Sequence, residues 1–368
     1  MVPVRDGQYG YTWQKAQPMF QVLIASCALW RHLHVNLIPP ALIAPIKNNL
    51  PNLQQLYLYG ISDHNALDIF ANAPQLSYLA YNVSRPLVGQ HTLLLLQPFQ
   101  WKQLRRLDCR IHLETGQDLW ILSLTPNVQT AYISVTSGSK STAQVVVPRG
   151  VHMPNLTHLR IDYHHHSDPS ALLEALFAPA LASLEIAIIL GADHSVNCGL
   201  AFTSLVSQAT SLRRLVIHFD PVFLFGISGS DLVIDLLKNT PKLNELHIHC
   251  CKSDTLGVNF IDAFTVPDEN ATSSTVFLPA LTSISLIDYA ASGKYAINML
   301  AFIDALQSRA SQGLRHVLLS QDRPNYYQPT QRFYSYREED PALLKKLRQL
   351  RDQGLDIRFL VQGRDFLD

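Results

Sequence analysis

Ten stretches of the chain place apolar residues in one frame: an apolar position, two variable residues, an apolar, a variable and an apolar. They are PNLQQLYLYG from Pro51, PQLSYLAYNV from Pro74, KQLRRLDCRI from Lys102, PNVQTAYISV from Pro126 and PNLTHLRIDY from Pro154. PALASLEIAI from Pro179, TSLRRLVIHF from Thr210, PKLNELHIHC from Pro241, PALTSISLID from Pro279 and QGLRHVLLSQ from Gln312 continue the series. LWRHLHVNL at Leu29 fits with Trp30 in the first slot, and GLDIRFLVQ at Gly354 is a looser, strand-like ending. First-slot residues Trp30, Leu53, Leu76, Leu104, Val128, Leu156, Leu181, Leu212, Leu243, Leu281 and Leu314 recur at separations of 23 to 38 residues.

The last two apolars of the frame are two residues apart, so they share one face of a strand. One such strand cannot bury that face, whereas stacking successive copies buries it in a continuous core. The proline that opens most copies disfavours helix at the residue before it and so closes the preceding element. Between strands, the pattern changes to a helical period. In DPSALLEALFAP (168–179), Asp168 is a candidate cap, Pro169 the first helical residue, and Leu172, Leu173, Leu176 and Phe177 one stripe. GSDLVIDLLKNTP (229–241), GQDLWILSLTP (116–126) and DHNALDIFANAP (63–74) read alike.

Strand, turn, helix and proline turn, repeated at this spacing, resemble the leucine-rich-repeat family. The resemblance implies an α/β fold, a leucine-rich-repeat solenoid: a curved horseshoe of about eleven degenerate repeats, with parallel strands on the concave face and helices on the convex face. The expected organisation is an N-terminal tail and capping helix over 1–28, the solenoid over 29–320, and an aromatic-rich loop with a capping helix and strand over 321–368. The family often places Asn or Cys three residues after the second strand leucine. Cys251 fills that slot, but Ile61, Ser84, His112, Thr136, His164, Ile189, Asp220, Tyr289 and Asp322 stand there in other copies. The array is therefore degenerate.

LNELHIHCCKS (243–253) crowds His247, His249, Cys250 and Cys251 like metal ligands. In the repeat frame Leu246 and Ile248 point inward, His247 and His249 outward, and Cys251 back into the turn. Ligands on opposite faces do not converge on one ion, and the spacing lacks the paired knuckles of structural zinc sites. The stretch is therefore read as a repeat strand, and no metal is expected. YHHHSD (163–168) is read as a polar turn after a strand.

Bulk composition narrows the function. The chain has 368 residues, 29 basic against 29 acidic groups and only 16% charged residues, so no global field points to nucleic acid or an anionic membrane. Five scattered cysteines, Cys27, Cys109, Cys198, Cys250 and Cys251, read as reduced thiols. MVPVRDGQYGYTWQKAQ lacks a signal pattern, MFQVLIASCALW is too short to span a bilayer, and the N-x-S/T triplets at Asn82, Asn155 and Asn270 are not expected to be glycosylated. A cytoplasmic or nuclear protein, monomeric, is the expectation.

QPMFQVLIASCALWRHLHVNL (17–37) reads as a helix running into a first strand. It resembles the segment just after the F-box in fungal F-box proteins with degenerate leucine-rich repeats, through Leu29, Trp30, His32, Leu33 and Val35. That resemblance implies the substrate-recognition part of an SCF-type ubiquitin ligase subunit, with the Skp1 adaptor as a partner if an F-box lies upstream. The L-P-x-E-[IL] helix start of an F-box has no match before Leu29. The alternative is a leucine-rich-repeat scaffold or binding protein with no ubiquitin role. At the other end, QDRPNYYQPTQRFYSYREED (321–340) reads as an aromatic surface loop. PALLKKLRQLRDQG then carries Leu343, Leu344, Leu347 and Leu350 on one stripe, with Gly354 as the stop.

No phosphate loop, G-x-S-x-G, H-E-x-x-H or paired C-x-x-C is present, so no enzyme and no cofactor are expected. What remains is the outward strand row. It comprises Tyr57, Tyr59, Tyr78, Arg106, Asp108, Arg110, Tyr132, His158, Arg160, Asp162, Glu185, Arg214, His218, Glu245, His247 and His249. Tyrosine and arginine are enriched among residues that carry interface energy, so a protein partner is expected on this face.

Overall fold

The computed structural model describes residues 17–36, 40–59, 68–83, 100–111, 117–136, 150–164, 170–188, 195–219, 229–250, 258–266, 276–288, 299–320, 341–361, 364–365 and 367. They belong to two compact units, Met1–Pro148 and Arg149–Asp368, whose boundary lies inside the stretch 29–320.

In the first unit, β1 (His32–Asn36), β2 (Gln55–Tyr59), β3 (Tyr78–Val83), β4 (Arg106–Ile111) and β5 (Thr130–Thr136) pair in order, all parallel. Register aligns the apolar slots into two ladders. One runs Leu33, Leu56, Leu79, Leu107, Ala131, and the other Val35, Leu58, Tyr81, Cys109, Ile133. All but Leu33, at the start, are buried. Tyr81 takes an aliphatic slot, and burial pushes its phenol above the ordinary range.

The second unit repeats the plan. A short strand, β6 (Val151–His152), precedes β7 (His158–His164), and another, β8 (Leu176–Phe177), precedes β9 (Ser183–Ile188). Then come β10 (Arg214–Phe219), β11 (Glu245–Cys250), β12 (Ser283–Asp288), β13 (His316–Ser320) and β14 (Asp356–Val361). From β7 through β9 to β14 each strand pairs parallel with the next. Leu159, Leu184, Leu215, Leu246, Ile284, Val317 and Ile357 form one buried ladder. Ile161, Ile186, Ile217, Ile248, Leu286, Leu319 and Phe359 form the other. Each unit thus has the α/β architecture of leucine-rich repeats, with strands on one side and helical crossovers on the other.

Two backbone devices recur. The first-slot N–H closes a turn onto the carbonyl three residues back: Leu76 onto Ala73, Val128 onto Thr125, Leu156 onto Met153, Leu243 onto Thr240. The frame's proline is the second residue of that turn, where its fixed φ is already correct. The residue before it, such as Ala73, Thr125, Met153, Ala178 or Thr240, is buried and forms a further core slot. Thr125 and Thr240 also donate their hydroxyls to carbonyls of the helix just ended. Second, ahead of nine strands one carbonyl accepts two successive N–H groups of the next repeat. Gln54 and Gln55 donate to Arg31 at 2.8 and 3.0 Å, and Asn244 and Glu245 donate to Arg213 at 2.8 and 2.9 Å.

Helical runs fill the crossovers. Gln117–Leu124 and Gly229–Lys238 lie inside the predicted stretches. Of 63–74, the described part holds one 3-10 turn at 68–70. The helix predicted over 168–179 is shorter, spanning Ser170–Ala175. Leu176 and Phe177 leave it to pair with β6, and Met153 donates to the Phe177 carbonyl at 2.9 Å. Leu176 is buried, but Phe177 is exposed beside the His152 ring, so the single stripe does not form. Arg309, on helix Met299–Ala310, is buried. It donates to the carbonyls of Phe264 and Phe277, and burial lowers its pKa to about 10, so it stays charged at neutral pH.

At the ends, residues 17–25 are helical and Cys27–Leu29 form a 3-10 turn before β1. Helix Pro341–Asp352 buries Leu343, Leu347 and Leu350, and Gly354 at φ +97° stops it. A two-residue strand, β15 (Arg364–Asp365), folds back antiparallel on β14. Asp365 Oδ1 accepts the N–H groups of Phe359 and Leu367 at 3.3 and 3.1 Å. The aromatic stretch 321–340 lies outside the described residues. Among the described residues no helix is long and apolar enough to cross a membrane.

Leu159→Asp or Leu246→Asp should abolish folding or lower the thermal midpoint by tens of degrees, since an unpaired buried carboxylate costs several kcal/mol, of order 3–5. His247→Ala should move the midpoint by only a few degrees. Equal losses for Leu246→Asp and His247→Ala would show that the strand phase is inverted.

Candidate functional site

Side chains alternate across a strand, so the two buried ladders of a unit leave three open rows on the opposite face. In the first unit, the row His34, Tyr57, Ala80, Asp108, Tyr132 lies between His32, Gln55, Tyr78, Arg106, Thr130 and Asn36, Tyr59, Asn82, Arg110, Ser134. Aromatic rings dominate its early strands. His34 contacts Tyr57 at 5.7 Å and Tyr59 at 5.0 Å between centroids, and Tyr57 meets Tyr78 edge-on at 5.0 Å. Arg106 stacks its guanidinium 4.7 Å from the Tyr78 centroid, a cation–π contact that fixes an exposed cation. Burial, then Asp108, raise the Tyr78 pKa against the opposing pull of Arg106. The three tyrosines and Tyr132 are half-buried. Arg110 keeps register with Asn82 and Ser134, but its side chain lies outside the described residues.

The second unit is ionic where the first is aromatic. Arg160 on β7 lies across Asp162 (Nε to Oδ1, 3.2 Å) and reaches Glu185 on β9 at 2.9 Å. His218 Nε2 on β10 stands 3.3 Å from the same Glu185 oxygen, and its ring lies 4.0 Å from that of His249 on β11. Arg214 pairs with Glu245 at 3.3 Å, and His247 stands 3.8 Å from Glu245. His158 is exposed beside Thr157, with its Nδ1 2.9 Å from the hydroxyl.

These contacts set the electrostatics. The hydrogen bond from His218 holds the Glu185 carboxyl below its usual range; burial opposes it, and Arg160, His218 and Arg214 assist. Burial lowers His249, helped by His218 and His247, to about 3. Burial and then Arg214 lower His247, with Glu245 pulling the other way. Both imidazoles are therefore neutral at physiological pH.

Every outward position expected from the sequence, apart from the Arg110 side chain, lies on an open strand row. Asp162 is nonetheless buried, because Arg160 covers it. His34 belongs to the aromatic cluster and was not singled out, although it stands between Leu33 and Val35 in the first copy of the frame. Ala80, Val216 and Ser285 hold outward positions yet are buried between larger neighbours. In LNELHIHCCKS, Leu246 and Ile248 are buried while His247 and His249 sit on the open face. Cys251 and the Cys250 side chain lie outside the described residues, as do 165–168. Among the described residues no group of three or more His, Cys, Asp or Glu is arranged to hold a metal ion. Cys27 and Cys109 are buried.

No protein-family model matches this chain, and no curated protein does. Among solved structures, a leucine-rich-repeat protein of Leptospira interrogans is similar at 13% identity and a TM-score of 0.34, covering 92% of this chain and 80% of its own.

The depressed His249 pKa fixes the sign of a stability change. The unfolded chain, with histidine near 6.5, binds a proton that the folded state refuses until about pH 3. This contribution is fully present above about pH 6.5 and is lost as pH falls toward 3. Denaturant midpoints should therefore fall between pH 7.5 and pH 5 in the wild type and fall less in His249→Gln. Parallel slopes would contradict the burial of that ring.

Proposed function

We propose that this chain is a protein-interaction module whose open strand face captures a protein partner. One observation carries the reading: Tyr57, Tyr59, Tyr78 and Arg106 form a preorganised, half-exposed cluster on a rigid parallel sheet. Rigid aromatic and arginine side chains lose little freedom on binding and dominate the energy of many interfaces. Parallel strands about 4.8 Å apart let one extended partner touch several of them.

The finer reading is that the captured protein is a substrate and the chain is the recognition part of an SCF-type ubiquitin ligase. It rests on the resemblance at Leu29, Trp30, His32, Leu33 and Val35. The helix at 17–25 supports it, since Met19, Val22 and Leu23, with Leu29 after it, expose apolar side chains immediately before the first strand. A leucine-rich-repeat scaffold without a ubiquitin role shares the strand face but does not need that apolar helix.

Tyr57→Ala with Tyr78→Ala should lose the captured partner, by about 30-fold or more in affinity for each ring that anchors it, without unfolding. Glu174→Ala with Lys238→Ala, on the helix side, should retain it. Affinity capture with mass spectrometry of the wild type and both double variants checks this; loss only in the helix-side pair would move the surface to the other side. Co-purification with Skp1 decides the finer reading. A stoichiometric complex supports the ligase role, and none leaves the scaffold.

A further inference from the structure

The sequence LRRL occurs at 104–107 and again at 212–215, each time leading into a strand in the same frame. In the later copy the next strand answers the charge, since Glu245 of β11 pairs with Arg214 of β10 at 3.3 Å. In the earlier copy no neighbouring strand does so. Arg106 on β4 stands in register between Tyr78 and Thr130, and Arg105, just ahead of it, is bonded through its backbone to Ser77 and Gln129. Lys102, in the 3-10 turn that leads to β4, is exposed, as are both arginines. Among the described residues none of these three cations lies in an ion pair. Asp108, the acid on the open rows of this unit, is half-buried and engaged within the fold. The start of β4 therefore presents three exposed cations that the adjacent strands do not neutralise.

We propose that Lys102, Arg105 and Arg106 form a docking site for an acidic segment of a protein partner, laid across the starts of β3, β4 and β5. This rests on the reading of the strand face as the binding surface and adds the charge of what it binds. Unpaired like charges this close together raise the local positive potential, and an acidic chain relieves it. Guanidinium groups suit carboxylates because their planar donors match both oxygens.

The directions of the two arginines select the ligand. Arg105 donates from Nη1 to the Asn127 carbonyl at 3.4 Å, on the β5 side, and the Asn127 side chain donates to the Lys102 carbonyl at 2.8 Å. Arg106 turns the other way and lies 4.7 Å from the Tyr78 centroid, on the β3 side. Guanidinium groups that diverge do not close on one phosphate; they offer separate charges to separate carboxylates. β3 and β5 are two strand intervals apart, about 10 Å at 4.8 Å per strand, and acidic residues three apart in an extended chain at about 3.3 Å per residue span that distance. Arg106 covers the Tyr78 ring and Tyr57 meets it at 86°, so the rings form no run of parallel faces on which bases could stack. Beyond Tyr78, the same segment reaches Tyr57 and Tyr59, which take its apolar side chains.

The test uses the full chain and a fluorescein-labelled octaglutamate peptide at low salt, against octalysine, a Gly-Ser octapeptide, a phosphoserine peptide of equal charge and a single-stranded oligonucleotide. Octaglutamate should bind about tenfold tighter than the lysine and Gly-Ser peptides, and no more weakly than the phosphopeptide or the oligonucleotide. Its affinity should fall as salt is raised. Arg105→Gln with Arg106→Gln should cost about tenfold. Lys238→Gln with Lys346→Gln removes as much charge from the helix side, where Asp235 and Asp304 pair with those lysines, and should cost less than twofold. In the wild type, octaglutamate should shift the NMR signals of the Tyr78 ring, on which Arg106 lies, a readout that needs no variant to fold. Preference for octalysine, the phosphopeptide or the oligonucleotide, equal losses in the two double variants, or an unshifted Tyr78 ring would overturn the proposal. If octaglutamate fails but Tyr57→Ala with Tyr78→Ala still loses its captured protein, the acidic specificity is wrong and the strand-face reading stands. If both fail, the face itself is wrong.

Discussion

The structure depends on one repeated backbone contact: ahead of nine strands, a single carbonyl receives two consecutive N–H groups from the next repeat. Arg31, Gln54, Ser77 and Arg105 do this in the first unit, and Thr157, Ala182, Arg213, Asn244 and Thr282 in the second. The contact fixes where each strand begins relative to its predecessor. A slip of one residue would turn every inward leucine outward. With the start pinned, Leu56 meets Leu79, Leu215 meets Leu246, and the ladders stack without gaps. Crossover lengths can then vary, because no crossover sets the register.

The same pinning builds the outer face. Once the apolar slots are committed inward, whatever stands between them is displayed at a strand spacing of about 4.8 Å. The chain uses that freedom differently in its two units. Early strands display rings that pack on one another, and later ones display acids covered by arginine and histidine. Both arrangements hold their side chains in place before any partner arrives, which reduces the entropy lost on binding.

The strand phases were legible because a period of two leaves no ambiguity once one leucine is placed. The proline turn was legible only in part. Its effect on the preceding residue was clear, but its position inside a hydrogen-bonded turn, with Ala73, Met153 or Thr240 buried ahead of it, depends on contacts with the neighbouring repeat. The end of the helix at Ala175 was not legible, since Leu176 and Phe177 continue its apolar stripe. What removes them is pairing with Val151 and His152, more than twenty residues earlier in the chain. Asp162 looked like an exposed acid and is covered, because exposure on a strand face depends on the length of the neighbouring side chain. Arg309 gave no sign of burial, for its carbonyl partners at Phe264 and Phe277 belong to a different crossover.

A parallel sheet ends in a strand with unpaired backbone, which is a template for another chain. At the C-terminal end of β14, Leu360 and Val361 are instead paired with the protein's own Asp365 and Arg364, running in the opposite direction. The Asp365 carboxylate accepts the N–H groups of Phe359 and Leu367, and Arg351 donates to the Leu367 carbonyl at 2.6 Å. Reversal matters as much as coverage, since an antiparallel strand cannot begin another turn of a parallel array. Over Leu360 and Val361, therefore, the edge of β14 is held by a reversed partner, and a further parallel strand cannot pair at those two residues.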